Sequence, residues 1–90
     1  MKNKTLKEQK LCPQSQMLKA LKEKGMSMHS EMFHELAQVF RLMETNTLKE
    51  KLAEDIFIKT KNGLLLENLI EEASESQKRI LESEMQKKHN

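Results

Sequence analysis

From Met28 to Met43 the apolar residues Met28, Met32, Phe33, Leu36, Ala37, Val39, Phe40 and Met43 recur mostly three and four apart. A 3.6-residue period gathers such positions on one side of a helix, so the stretch predicts an amphipathic helix of about four turns. The other side carries Glu31, Glu35, Gln38, Arg41 and Glu44. Glu31 and Glu35 repel mildly one turn apart, which suits a solvated face. Ser27 stands where this helix wants an N-cap, and Thr45-Asn46-Thr47 both ends it and caps the next helix.

The rest of the chain must supply partners for that stripe. Ser15 as N-cap, the apolar Met17, Leu18 and Leu21, and a close at Lys22, Lys24 and Gly25 predict a helix over 15–24. Leu48, Leu52 and Ile56 keep a four-residue rhythm and predict a third helix from 48 to about 60, closed at Asn62-Gly63. The same region also matches a β-hairpin. Ile56 to Thr60 is rich in β-formers, Asn-Gly is the strongest two-residue hairpin turn, and Leu64-Leu65-Leu66 comes directly after it. Beyond it, Leu66, Leu69, Ile70, Ala73, Gln77 and Ile80 trace a stripe that thins, and Ser74 to Arg79 contains no apolar residue. A helix from 64 to about 86 is therefore expected to project, its narrow seam resembling a coiled coil over too few heptads to define one.

Glycine and proline, the usual punctuation of loops, occur only at Gly25, Gly63 and Pro13. The aromatic side chains are Phe33, Phe40 and Phe57 alone, so leucine and methionine must build the core. The expected fold class is mainly α, a small three- to four-helix bundle with a projecting C-terminal helix. The alternative is a winged helix with a hairpin near Asn62-Gly63. The expected organisation is a basic, flexible arm over 1–13, a helical domain over 14–75, and a helical extension with a frayed end over 76–90.

Net charge is +2, too small to point to one class of partner, but its distribution is uneven. Residues 1–26 hold seven lysines against two acidic residues. A solvated arm is the plain reading; contact with phosphate through Lys2, Lys4, Lys7, Lys10, Lys19 and Lys22 is the functional one. Cys12 is the sole cysteine, which leaves no internal disulfide and no cysteine-rich metal site. No run approaches the ~20 apolar residues of a membrane span, and Leu11-Cys12-Pro13 is no signal-peptide core. A cytoplasmic location away from membranes is expected.

Chemistry finds little to stand on. Glu31-Met32-Phe33-His34 is a Glu-x-x-His, but a di-metal centre needs a second such pair and further inward carboxylates, and the other histidines are His29 and His89. His29 and His34 lie five residues apart, on different sides of a helix. Cys12 lacks an organised base, Ser27 and Ser30 read as helix caps, and no glycine-rich phosphate loop occurs. The expectation is no enzyme, no cofactor, no metal and no small-molecule substrate.

Two readings of function remain. The first is a non-enzymatic interaction module, an adapter, inhibitor or regulator that binds a protein partner or a second copy of itself through its Met/Phe/Leu face. Its expected interface residues are Met32, Phe33, Leu36, Phe40 and Met43 on the second helix, with Leu66, Leu69, Ile70 and Ile80 on the last. The alternative is a dimeric nucleic-acid-binding transcriptional regulator of winged-helix type. The acidic Glu50, Glu54 and Asp55 weaken it, because they fall where a recognition helix prefers basic or amide side chains.

Overall fold

In the computed structural model the described residues are 12–89, the side chains of 87–89 aside. They form four α-helices and one short 3-10 turn: α1 (Pro13–Glu23), α2 (Glu31–Arg41), α3 (Asn46–Lys61), the turn Leu66–Asn68, and α4 (Leu69–His89). No strand occurs among the described residues. The basic segment with Lys2, Lys4, Lys7 and Lys10 lies outside them.

Local chemistry sets the helix ends. α1 begins at Pro13, two residues before the expected cap Ser15. Proline lacks an N–H that the first turn would leave unpaired in any case, so it opens a helix well while holding the preceding Cys12 extended. α2 is capped by Ser30 rather than Ser27, its side chain accepting from the Phe33 N–H. Ser27 instead accepts from the His29 N–H, and its carbonyl accepts from the Ser30 hydroxyl, which leaves Met28 in a turn ahead of the helix. Thr45 caps α3 as expected, accepting from the Leu48 N–H.

The hairpin alternative is overturned at Asn62-Gly63. α3 continues to Lys61, Asn62 is its C-cap and Gly63 takes φ +105°. The Gly63 N–H reaches the Thr60 carbonyl and the Leu64 N–H reaches the Lys59 carbonyl. This crossed pair of bonds is the Schellman way of ending a helix. Gly25 closes α1 likewise, at φ +110°, with Gly25 N–H on Lys22 and Met26 N–H on Leu21. Asn-Gly serves hairpins and helix ends equally well, because each needs a left-handed residue. Ala53, Ile56 and Thr60 are buried at spacings of three and four while Ile58, which a strand would place on the same face as Ile56 and Thr60, is 50% exposed, and this pattern is that of a helix. A Cβ on Gly63 would touch nothing within 4 Å, so Gly63→Ala should cost only backbone strain, about 1–2 kcal/mol. A urea midpoint that does not move would show that the loop relaxes freely.

α3 is the centre of the bundle, packing on α1 and on α4, while α2 packs on α4. Leu52, Ala53 and Ile56 on α3 are fully buried, as are Leu69 and Ala73 on α4 and Leu21 on α1. α3 and α4 run antiparallel, since Lys51 pairs with Glu84 and Lys59 with Glu72.

The part of α4 without apolar residues stays against the bundle. Ser76 is 1% exposed. Its hydroxyl donates to the Asp55 carboxylate and accepts from Lys59 Nζ at 3.0 Å and Arg79 Nη2 at 3.2 Å, which occupies its one proton and both lone pairs. Lys59 also meets Asp55 and Glu72, each at 3.3 Å. A polar seam thus joins α3 to α4 where the sequence stripe lapses. Contact continues past residue 76 through the half-buried Ile80 and Leu81 to Glu84.

Candidate protein-binding seam

α1 leans on α3 and α2 on α4, but α1 and α2 are not one of the extensively packed pairs. The space between them is an open seam. Met17 and Leu18 of α1 face Phe33, Leu36, Ala37 and Phe40 of α2 across it. Buried Met17, Leu36 and Phe40 make its floor, and half-buried Leu18, Phe33 and Ala37 its walls. The hollow measures about 170 Å³. Apolar cavities of ~150 Å³ take a benzene ring, so the seam has room for about one large side chain of a visitor.

Its remaining lining is Gln14, Arg41 and Lys49, so both charges at the seam are positive. Arg41, exposed in the last turn of α2, has no ion pair or hydrogen bond among the described residues. Lys49 is held in place, its Nζ donating to the Met43 carbonyl at 3.0 Å just past the end of α2. Both cations suit the negative end of that helix dipole. The dipole accounts for their position, while leaving the Arg41 guanidinium free of any carboxylate among the described residues.

The nine expected interface residues do not share one face. Phe33, Leu36 and Phe40 meet in the seam, although Leu36 and Phe40 are core residues that offer only its floor. Met43 and Leu69, at 1% and 0% exposure, are interior and present no surface. Met32, Leu66, Ile70 and Ile80 are half-buried against the core. Ile70 lies with Val39 and Leu42 between α2 and α4, and Ile80 beside Ile58 on the α3–α4 groove. Lys19 and Lys22 are exposed on α1, and Lys19 shares a shallow hollow with Glu23, Phe57 and Lys61.

Leu18 and Ala37 belong to the seam but were absent from the expected interface. Both sit within apolar stripes, and only the sparse α1–α2 packing marks them as accessible. A second apolar concavity, of about 390 Å³, brings Leu42 and Leu48 to Leu81 and Met85 near the end of α4. Leu42 and Met85 are 61% and 60% exposed. Glu44, Thr45, Thr47 and Glu84 also line it, which makes it more polar than the seam.

Glu31 and His34 are both exposed, and no group of three or more His, Cys, Asp or Glu gathers to hold a metal among the described residues. Cys12 is exposed at the start of α1, where a hydrogen bond with the Ser15 hydroxyl at 3.3 Å lowers its thiol below the ordinary range. No described helix is long and apolar enough to cross a membrane. Compared with protein-family models, curated proteins and solved structures, the chain matches none.

Proposed function

We propose that this chain is a non-enzymatic helical interaction module, an adapter, inhibitor or regulator that receives part of a protein partner in the seam between α1 and α2. The observation that carries the reading is the sparse α1–α2 packing over an apolar floor. In a closed bundle Leu18, Phe33 and Ala37 would cover one another; here they line a hollow open to solvent. Helix-in-groove recognition uses surfaces of this kind, with one or two side chains of the visitor anchored in the hollow. Met17 in the floor adds a side chain that adapts its shape to what is bound. The winged-helix alternative is not proposed, because residues 62–68 form a turn and a 3-10 segment where the wing should be.

Ala37→Gln tests the reading. It places a longer polar side chain on a half-buried wall position of a helix, which should leave stability within about 1 kcal/mol. In affinity capture from the native cell extract, a partner retained by the unaltered chain should be lost from this variant while its circular dichroism is unchanged and its melting temperature moves by less than about 8 °C. Equal retention by both proteins would sink the seam as the binding site.

A further inference from the structure

We infer that the occupant of the α1–α2 seam is an acidic amphipathic helix, with an apolar side chain seated between Leu18 and Phe33 and a flanking carboxylate on Arg41. The inference rests on the interaction reading above and adds the chemistry of the partner. Charge complementarity carries it. The seam's charged lining is Arg41 and Lys49, both basic and both by the C-terminal end of α2. Arg41 has no ion-pair or hydrogen-bond partner among the described residues. A guanidinium at the edge of an apolar surface offers a planar fork to a carboxylate, and the lower local dielectric there strengthens the pair relative to open water. Lys49 keeps one proton on the Met43 carbonyl and has two more to give.

The same charges decide against the nearest rival. The N-terminal segment 1–11 carries four lysines against one glutamate, so its own charge is repelled from Arg41 and Lys49. A helix bearing Glu or Asp beside its apolar stripe meets attraction at both positions.

The probes are two synthetic amphipathic helices with the same leucine face, one flanked by Glu and the other by Lys. Each is titrated against the full chain by fluorescence anisotropy at about 0.01 M and about 0.15 M ionic strength. The Glu-flanked helix should bind on the order of tenfold tighter at the lower ionic strength, and the gap should narrow at the higher. Arg41→Glu, which breaks no ion pair or hydrogen bond among the described residues and whose helicity is checked by circular dichroism, should shrink or reverse the preference. Ala37→Gln should weaken both helices.

Equal binding of the two helices, lost in Ala37→Gln, overturns the acidic partner and leaves the seam as an interaction site. Binding of neither helix overturns both readings. A chain that sediments as a dimer and becomes monomeric in Ala37→Gln assigns the seam to a second copy. A gain in affinity for both helices when residues 2–11 are removed assigns it to the chain's own segment. Either of these last results overturns the acidic partner as well.

Discussion

Leu52→Ala should remove about 2–5 kcal/mol of stability, and in a domain this small that is a large fraction of the whole. Leu52 is fully buried on α3, the helix that packs on both α1 and α4. Truncation there opens a cavity between three helices that cannot all close on it at once, so the cost includes lost contacts as well as transfer. At about 4–8 °C per kcal/mol for a domain of this size, the melting temperature should fall by roughly 8–40 °C. Thermal and urea unfolding followed by circular dichroism measure it. Leu42→Ala is the control: Leu42 is 61% exposed, and its loss should stay within about 0.5 kcal/mol. If the two variants melt together, α3 is not the centre of the fold.

Ser76→Leu should be nearly as damaging, although on sequence alone it looks like an improvement. A leucine at 76 would restore the apolar stripe of α4 across a stretch that lacks one. In the structure the site is 1% exposed and filled, so the larger side chain overpacks it at about 1–3 kcal/mol. It also removes the hydroxyl that Asp55, Lys59 and Arg79 share. Hydrogen bonds to charged groups contribute about 1.5–3 kcal/mol, but the ions here are partly exposed and partly re-pair with one another, so the smaller end applies. The combined loss is about 2.5–4.5 kcal/mol. Ser76→Ala separates the two causes, since it keeps the space and removes only the hydroxyl. If Ser76→Leu proves more stable than the unaltered chain, the polar seam has no structural role and α4 is held by its apolar positions alone.

Salt acts unevenly on this bundle. Ion pairs between α3 and α4 are screened by it, whereas the burial of Leu52, Ile56 and Leu69 is not. The apolar part of the α3–α4 contact and the α1–α3 contact therefore keep the bundle assembled at ionic strengths that weaken the contacts around Ser76. The partner preference argued for Arg41 would be measured over the same range, so helicity and binding belong in one titration.

The helices themselves are legible in the sequence because what makes them is local. The stripe through Leu36, Val39 and Phe40 faces one way by period alone, and all three residues are buried. Thr45 capping α3 and the glycines closing α1 and α3 depend on backbone groups a few residues away. Where two local solutions compete, the sequence does not choose. Ser27 and Ser30 can each cap, and Asn62-Gly63 suits a hairpin or a helix end. The choice falls to contacts made elsewhere, Phe33 packing against the core in one case and Ile56 and Thr60 buried around an exposed Ile58 in the other.

Tertiary structure alone decided which apolar faces remain open. Leu36, Phe40, Met43 and Leu69 have the period of a binding stripe and the burial of a core, and nothing in one helix distinguishes the two. Ser76 is interior because Asp55 and Lys59, about twenty residues away on another helix, complete its hydrogen bonds. The α1–α2 seam is a gap between helices, and period within either helix carries no record of how near its neighbour comes. The sequence by itself determined that most of the chain is helical, the Thr45 cap and the direction of each stripe, since these depend on spacing within a few turns. How those stripes divide between core and open surface was set by packing among residues far apart in the chain.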